Sequence, residues 1–338
     1  MKKVKVEDAV GMVLAHDLTK IVPNVFKGAA FKKGHIIEEK DILELKSMGK
    51  NHIYILELNE NIIHEDEAAI RIAKAAAGKN IYLQGPSEGK INFRAEKRGL
   101  LKVNEEALYK INSIEMIMFA TLHNNTVVDK DKSLGGTRII PLTIEKEKIE
   151  EVENICREHG SILDIKEFNK YKVGIIVTGT EVFEGRITDK FGPVLKNKME
   201  YYGCENNIKY APDDKDRIIK AIESHINEGC DIIILSGGMS VDADDVTPSA
   251  IREYSTKVIT YGSPVLPGAM FMMAYKNNTP IVGIPACGMY HKITIFDLVF
   301  PRIIAGEVIK REDIVRLGHG GFCENCSECR FPSCSFGK

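Results

Sequence analysis

The sequence predicts an α/β protein in which a three-layer α/β/α domain with a mostly parallel sheet follows a smaller mixed α+β region. Two continuous apolar runs, Val173–Thr178 and Asp231–Ser236, are typical of strands buried on both faces. Amphipathic segments that end near a glycine, Pro193–Tyr202 and Asp213–Asn227, lie between these runs and predict helices. Because strands that alternate with helices are joined by crossover connections, we expect a parallel sheet covered on both faces.

The alternation continues to about residue 304, so the domain is predicted to span residues 171–308. The further predicted elements are a helix over Pro248–Tyr254, a strand over Lys257–Tyr261, extended segments over Ala269–Tyr275 and Pro280–Ile284, and a helix from Tyr290 to about Ile304.

The chain before residue 171 is predicted to have two parts. Residues 1–58 alternate short apolar runs with turns, which favours short strands around one helix, Asp41–Gly49, and a last strand, Ile53–Leu58. Residues 59–170 form a small α/β region with helices over Glu65–Ala77 and Glu105–Ile111, and no chemistry is assigned to it. A fourth part, residues 309–338, is a cysteine-rich tail.

Composition and charge exclude several classes of protein. Apolar residues make up 44% of the 338 positions and charged residues 28%, as in ordinary globular domains. A net charge of −2 offers no basic field to a nucleic acid. Apolar runs such as Ile232–Leu235 are far shorter than the roughly 20 residues of a membrane span. We therefore expect a cytoplasmic protein with neither nucleic acid nor membrane as a partner.

Two loops follow the predicted strands at the edge of the sheet where ligands of open α/β sheets bind. Paired glycines let backbone N–H groups approach an anion, and hydroxyls add donors beside them, so phosphate is the expected ligand. The alternative is that the glycines merely turn the chain. The residues of the two loops are Thr178, Gly179 and Thr180, and Ser236, Gly237, Gly238 and Ser240.

Acidic side chains accompany these loops. Asp242, Asp244 and Asp245 follow the glycine pair directly, and Glu181 follows the first loop. Neighbouring carboxylates repel one another unless a cation lies between them, which predicts Mg²⁺ bridging carboxylate and phosphate. Further oxygens at this edge would come from Asp189 and from Asp213 or Asp214. The alternative for Asp245 is a role at the start of the helix after Thr247.

Several spaced motifs in this region resemble the molybdopterin-binding domain, which is shared by molybdopterin adenylyltransferases, molybdopterin molybdotransferases and competence-damage-inducible relatives. The amino-terminal segment Val6–Thr19 and the segment Gly136–Leu142 are similar to the molybdotransferase branch. The matching residues are Thr178 to Glu181, Gly185, Ile187, Asp189, Ser236 to Ser240, Asp245 to Pro248, Gly262, Pro264, Pro267, Gly268, Gly283 and Pro285.

The resemblance implies an Mg²⁺-dependent transferase of molybdenum cofactor synthesis. Such an enzyme holds adenylated molybdopterin while molybdate is inserted and AMP leaves, chiefly by positioning and charge neutralisation. It also implies a homo-oligomer. The implied catalytic acids are Asp245, Glu181 and Asp213, with Asp245 and Glu181 also binding Mg²⁺. The implied cofactor-binding residues are Thr178, Gly179, Thr180, Ser236, Gly237, Gly238, Ser240, Asp242, Pro267 and Gly268.

The chain departs from the family pattern where positive charge is expected. A Lys-Pro-Gly-Lys-Pro run is replaced by residues 266–270, which read Leu-Pro-Gly-Ala-Met, and Lys190 and Phe191 stand where an Asn is expected. These changes favour a first alternative, a non-catalytic carrier or sensor that hands molybdopterin to a molybdoenzyme. A second alternative is a molybdopterin adenylyltransferase, which would consume ATP.

The tail contains four cysteines in the pattern C-x₂-C-x₂-C-x₄-C. Four thiolates at this spacing suit Zn²⁺ or an iron–sulfur cluster, and the pattern does not choose between the two. The alternative is a disordered thiol-rich tail. The four predicted ligands are Cys323, Cys326, Cys329 and Cys334, whereas Cys156, Cys204, Cys230 and Cys287 are expected to be buried small side chains.

Overall fold

The computed structural model describes residues 2–22, 26–55 and 61–338. The chain divides into two compact units. Unit 1 comprises Met1–Lys97, Leu101–Asn124 and Asp129–Ile165, and unit 2 comprises Arg98–Leu100, Asn125–Val128 and Lys166–Lys338. The predicted strand Ile53–Leu58 is observed over His52–Ile55, and its last three residues lie outside the described part of the chain.

The strands before residue 171 are short, as the sequence predicts for residues 1–58. The strands are β1 (Lys2–Lys5), β2 (Leu18–Val22), β3 (Phe26–Phe31), β4 (His52–Ile55), β5 (Ile62–His64), β6 (Ile81–Ser87), β7 (Lys90–Ala95), β8 (Gly99–Val103), β9 (Ile117–Thr121), β10 (Val127–Val128), β11 (Ser133–Ile139), β12 (Thr143–Glu145) and β13 (Leu163–Lys166). The helices are α1 (Asp41–Ser47), α2 (Glu65–Ala76), α3 (Glu105–Asn112) and α4 (Lys146–His159), and a 3₁₀ turn spans Val6–Asp8.

The first part of unit 1 has a small core of its own. Strands β1 and β4 pair antiparallel, as do β2 and β3, and α1 closes the group. The buried apolar residues of this core are Val4, Val6, Ala9, Leu14, Leu18, Phe31, Ile37, Leu45, Ile53 and Ile55.

The second part of unit 1 is built on an antiparallel sheet with the strand order β6-β7-β11-β9. Helix α2 packs on β7 and β11 through its alanine-rich face, and α4 packs on α2. The rings of Phe93 and Phe119 stack at 4.8 Å between their centroids inside this layer.

Unit 2 alternates strands and helices from residue 172 onwards. Its strands are β14 (Lys172–Thr178), β15 (Glu205–Ala211), β16 (Ile232–Ser236), β17 (Lys257–Tyr261), β18 (Met272–Lys276) and β19 (Thr279–Ile284). Its helices are α5 (Thr180–Phe183), α6 (Phe191–Tyr202), α7 (Lys215–Asn227), α8 (Thr247–Tyr254), α9 (Ile295–Ile304) and α10 (Arg311–Arg316), and a 3₁₀ turn spans Ala286–Met289.

These strands form one six-stranded sheet with the order β15-β14-β16-β19-β18-β17. Strands β15, β14, β16 and β19 are parallel, whereas β18 and β17 run antiparallel at one edge. The predicted fold class, α/β with a mostly parallel sheet, is therefore confirmed for this unit.

Successive residues of the central strands serve two separate cores. Ile175 and Ile234 belong to the core beneath α6 and α9, whereas Ile176 and Ile233 belong to the core beneath α7 and α8. Side chains alternate between the faces of a strand, so continuous apolar runs mean that both faces are covered. The three predicted layers follow from this pattern.

Two parts of the prediction for this unit were incomplete or wrong. Strand β15 was not predicted, because as an edge strand it mixes polar and apolar residues (Glu-Asn-Asn-Ile-Lys-Tyr-Ala). The last helix begins at Ile295 and not at Tyr290. Thr294 accepts the N–H of Phe296, and the Asp297 carboxylate accepts the N–H of Thr294, so a capping box fixes this start.

No helix in the described ranges 2–22, 26–55 and 61–338 is both long enough and apolar enough to cross a membrane.

Candidate functional site

The two predicted loops meet at the carboxyl edge of the parallel strands. Strand β14 ends at Thr178 and β16 ends at Ser236, and Val177 pairs with Ser236 in the parallel register. The loops that follow therefore leave the sheet side by side. Their juxtaposition is a direct consequence of the strand order.

Close approach of the loops requires glycine at two positions. Gly237 has a φ of +93°, and a Cβ added to it would lie 2.2 Å from the carbonyl oxygen of Thr178. Gly238 has a φ of +53°, and an added Cβ would lie 2.9 Å from Oγ1 of Thr247. These glycines are therefore required both by backbone conformation and by space.

Two buried threonines join the loops to helix α8. The Thr178 hydroxyl donates to the carbonyl oxygen of Ser236 over 3.2 Å and lies 3.1 Å from Oγ1 of Thr247. Because the Thr178 hydrogen is used in the first bond, Thr247 is the donor in the second. The sequence analysis treated Thr247 only as a helix-start residue. Its position shortly after the glycine pair in the sequence could have indicated that it contacts the loops.

A cavity of about 590 Å³ opens above these loops. Its floor includes Ser236, whose side chain is fully buried and whose Oγ has no hydrogen-bond partner among the described residues. An unsatisfied buried hydroxyl is unusual and costs free energy unless a ligand or water satisfies it. The cavity is lined by Val177, Thr178, Glu181, Val182, Ile187, Thr188, Asp189, Lys190, Phe191, Ser236, Gly237, Ala286, Met289 and Tyr290.

Three residues of the cavity lining that follow β19 were not predicted from the sequence. Ala286, Met289 and Tyr290 come directly after the carboxyl end of this strand, which neighbours β16 in the sheet. The position of β19 beside β16 could have indicated them, because loops at one sheet edge converge.

The predicted acids divide into two groups. Glu181 lines the cavity, and its carboxylate folds back over Gly179. Asp213 is tied to the first loop: it accepts the N–H of Thr180 over 2.8 Å, and its own N–H donates to the Thr180 hydroxyl over 3.1 Å. Asp214 instead caps α7 by accepting the N–H of Arg217. Asp213, and not Asp214, therefore belongs to the loop pair.

Asp242 and Asp245 lie outside the cavity lining. The Asp242 N–H donates to the Asp245 carboxylate over 3.3 Å, which closes a turn ahead of α8. Asp242 and Asp244 are exposed and Asp245 is half-buried. Solvent screens repulsion between exposed carboxylates, so this cluster does not require a cation of its own. Mg²⁺ at these carboxylates therefore stays a prediction.

Asp189 lies at the start of α6. It accepts the N–H groups of Phe191 and Gly192 over 2.8 and 2.9 Å, and it also accepts from the Tyr210 hydroxyl. Its oxygens are therefore engaged in capping a helix, although the residue also lines the cavity.

A tyrosine that the sequence analysis did not single out fixes the second loop. The Tyr261 hydroxyl lies 2.9 Å from the carbonyl oxygen of Met239 and 3.1 Å from that of Ser240. Burial and, secondly, the charge of Asp245 raise the pKa of Tyr261, so this group remains a hydrogen donor. Ser240 thus takes part in the site through its backbone.

Pro267 and Gly268 lie outside the cavity lining. The peptide bond before Pro267 is cis, and Gly268 has a φ of +136°. A Cβ added to Gly268 would lie 2.5 Å from the side chain of Ile295, at the start of α9. This turn packs against a helix.

Four basic side chains of unit 2 have different surroundings. Lys190 lines the cavity. Lys196 faces Glu200 on the surface of α6, and Lys198 forms an ion pair with the buried Asp297. His291 lies beside the tail cysteines instead. Of these four side chains, Lys190 is the one placed to bring positive charge to the cavity.

Within the part of the chain that the structure describes, no three His, Cys, Asp or Glu side chains are arranged to hold a metal ion. The four tail cysteines are free thiols, with Cys323 and Cys334 half-buried and Cys326 and Cys329 exposed. Of the scattered cysteines, Cys156, Cys204 and Cys230 are buried as expected, and Cys287 is half-buried.

Comparisons with known proteins assign a family to part of the chain. The family model described as "Probable molybdopterin binding domain" matches residues 174–305. A second model, of a domain of unknown function, matches residues 3–57.

Curated relatives match short stretches of the chain. A molybdopterin adenylyltransferase of Pyrococcus furiosus is 27% identical over 92 residues, which is 27% of this chain and 54% of the relative. A CinA-like protein of Mycolicibacterium vanbaalenii is 33% identical over 95 residues, which is 28% of this chain and 22% of the relative. The chain thus spans about half of the first relative and about a fifth of the second.

Solved structures also resemble the domain. The molybdopterin biosynthesis enzyme MoaB from Thermus thermophilus has a TM-score of 0.35 and 20% identity, and the match covers 40% of this chain and 98% of that one. For MogA the TM-score is 0.33 and the identity 21%, over 39% of this chain and 92% of that one. The fold class of unit 2 rests on its own strand order and direction. Residues 174–305 thus match the model of a probable molybdopterin-binding domain, and the curated relatives of this chain include a molybdopterin adenylyltransferase and CinA-like proteins.

Proposed function

We propose that unit 2 binds molybdopterin or adenylated molybdopterin in the 590 Å³ cavity and serves as a transferase of molybdenum cofactor synthesis. The observation that carries this proposal is the buried, unpartnered hydroxyl of Ser236 beside Gly237. A phosphate oxygen would accept from this hydroxyl, and the positive-φ glycines leave backbone N–H groups open to the same anion.

The remaining lining suits the body of the same ligand. Val177, Val182, Ile187, Phe191 and Met289 provide an apolar wall for a planar ring system. Few polar groups then fix the orientation of the ligand, and Ser236 is one of them. Binding by one apolar wall and one anion-binding end is a common design of cofactor sites.

The charged side chains of the cavity lining are Lys190, Glu181 and Asp189. Lys190 would pair with the phosphate, and a charge-assisted contact of this kind contributes about 1.5 to 3 kcal/mol. Mg²⁺ usually binds one or two carboxylates together with substrate phosphates, which Glu181 permits while Asp189 caps α6. Mg²⁺ bound in this way would neutralise phosphate charge. Asp213 acts by holding the N–H of Thr180 in place.

The transferase we favour inserts molybdate into adenylated molybdopterin and releases AMP. The assay mixes purified protein, Mg²⁺ and adenylated molybdopterin under anaerobic conditions, with and without molybdate, and measures AMP. Molybdate-dependent AMP release that falls in Ser236→Ala and Glu181→Gln supports this activity. Tight binding of the ligand without AMP release contradicts it.

Two alternatives to this activity are each favoured by a separate observation. A non-catalytic carrier is favoured by the sequence Leu266–Met270, which lacks the two lysines of the family pattern and packs on α9 instead of lining the cavity. An adenylyltransferase is favoured by the relative from Pyrococcus furiosus. Pyrophosphate release from ATP and molybdopterin identifies the adenylyltransferase, whereas transfer of bound molybdopterin to a molybdoenzyme without any turnover identifies the carrier.

A further inference from the structure

The carboxyl-terminal residues 319–338, here named the thiol loop, are folded onto unit 2. They contain no helix, and the pairing of Phe322 with Leu266 is an isolated bridge. The N–H of Leu266 donates to the carbonyl of Gly321 over 2.8 Å, and the N–H of Cys323 donates back to Leu266 over the same distance. A disordered tail, which the sequence left open, is therefore not what the structure shows.

The far end of the thiol loop is anchored as well. Phe336 is 3% exposed and belongs to the core beneath α6 and α9, and Phe331 packs on the same core. The N–H of Gly337 donates to the carbonyl of Gly320 over 2.9 Å, which closes the segment on itself. Both ends of the thiol loop are thus held by the domain.

The middle of the thiol loop has no such anchors. Every residue from Glu324 to Arg330 is exposed, and Asn325 has a φ of +52°. A short exposed stretch that buries so little apolar surface gains little stability from its own packing. The two exposed thiols, Cys326 and Cys329, lie within this stretch.

All four cysteines of the thiol loop line one cavity of about 230 Å³. Cys323 and Cys334 form its inner side, since both pack on the domain core, and Cys326 and Cys329 belong to the exposed stretch. Lys292 and Arg330 line the same cavity. His291 provides one more nitrogen donor at this place.

We propose that the thiol loop is a metal centre in which four thiolates bind either one Zn²⁺ ion or an iron–sulfur cluster. The four ligands are Cys323, Cys326, Cys329 and Cys334. In the described residues the four thiols share the cavity but no three of them form a ligand group, so the proposal requires their side chains to rotate towards the metal. The metal cross-links the exposed stretch to the core and supplies the constraint that the stretch lacks.

The metal centre adjoins the cavity that contains Ser236. Tyr290 lines both cavities. It is 80% exposed, so the protein core does not fix its position. A thiol loop ordered by metal would fix the wall that Tyr290 contributes to the larger cavity. The metal-binding claim itself does not depend on what that larger cavity binds.

The decisive test uses the full chain purified without oxygen. Zinc, iron and acid-labile sulfide are quantified per chain, and the absorption spectrum is recorded. About one Zn²⁺ per chain in a colourless protein identifies a zinc site, whereas iron, sulfide and a brown colour identify a cluster. Metal-free protein is then reconstituted with Zn²⁺, or with iron and sulfide. Failure to bind either one stoichiometrically and tightly overturns the proposal.

Matched variants separate the thiol loop from other cysteines. Cys326→Ser and Cys329→Ser change exposed residues and should lower the bound metal to less than half of the original content, with the domain still folded by circular dichroism. Cys287→Ser, which changes a half-buried thiol outside the 230 Å³ cavity, should leave the metal content unchanged. Co²⁺ in place of Zn²⁺ gives a second readout, because its thiolate charge-transfer bands weaken with each ligand lost. Equal metal content in all three variants contradicts the assignment of ligands.

Discussion

A Cβ added to Gly237 would lie 2.2 Å from the carbonyl oxygen of Thr178, so the loops after β14 and β16 meet only when residue 237 is glycine. The carbonyl oxygen is a backbone atom, and it cannot rotate away as the end of a side chain can. The geometry of the proposed phosphate site therefore depends on one missing methyl group.

We expect Gly237→Ala to separate the two loops. The positive φ and the backbone clash together should lower the free energy of unfolding by about 2 kcal/mol or more and abolish ligand binding. Gly203→Ala is the matched control, because Gly203 also has a positive φ, +74°, but no atom lies within 4 Å of an added Cβ. The control should lose stability while it retains ligand affinity. Denaturant unfolding and ligand titration of both variants measure the difference.

Ser236→Ala should stabilise the ligand-free protein. The substitution removes a buried hydroxyl that has no partner, and such a group costs about 1 to 3 kcal/mol. Ser255→Ala removes a second unpartnered buried hydroxyl outside the cavity lining and should have the same sign of effect. Urea unfolding of the two variants checks this. A clear loss of stability in Ser236→Ala would mean that its hydroxyl is already satisfied in the free protein.

The Tyr261 hydroxyl holds the carbonyls of Met239 and Ser240. Tyr261→Phe should therefore loosen the loop after Gly238 and weaken ligand binding several-fold, with a stability loss of about 1 kcal/mol. Tyr275→Phe is the matched control on the same sheet, because its hydroxyl accepts the N–H of Ile309 far from the loop. Only the first variant should change the ligand dissociation constant. Equal affinities in both would remove Tyr261 from the site.

The sequence was sufficient for the central strands and for the pairing of the two loops. Val173–Thr178 and Ile232–Ser236 are apolar on both faces, and a strand of this kind has few alternatives to the middle of a covered sheet. Edge strand β15 carries no such signal, because one of its sides is solvated. The start of α9 was mispredicted because Thr294 and Asp297 were not recognised as a capping box.

Site residues that depend on tertiary contacts could not be obtained from sequence patterns. Ser236 and Gly237 follow a strand directly and were predicted. Tyr261 acts across the sheet from β17 on a loop more than twenty positions earlier in the chain, and no local pattern marks such a contact. Asp245 is half-buried and lies outside the cavity lining, so its predicted role in the site stays a prediction.

Buried histidines should make the protein less stable in mild acid. His225 donates from Nε2 to the carbonyl of Ile175, and burial lowers its pKa from about 6.5; burial also lowers the pKa of His64. Between the unfolded pKa and the lowered folded pKa, the unfolded chain binds more protons, so stability falls as the pH decreases below about 6.5. Each histidine contributes a slope of up to about 1.4 kcal/mol per pH unit in that window.

The pH effect has a direct spectroscopic check. Histidine NMR resonances of His225 should remain at their neutral positions at pH 6, and unfolding of His225→Gln should depend less on pH than that of the parent protein. Resonances that titrate at or above pH 6.5 would contradict burial of the neutral ring.

The central claim is that the Ser236 hydroxyl binds the phosphate of molybdopterin. Its most direct test is the equilibrium dissociation constant of molybdopterin, measured anaerobically for the parent chain, Ser236→Ala and Ser255→Ala. A hydrogen bond to a charged group contributes about 1.5 to 3 kcal/mol, so Ser236→Ala should bind about 10- to 100-fold more weakly, with Ser255→Ala unchanged. The same affinity in Ser236→Ala and in the parent chain would contradict the claim.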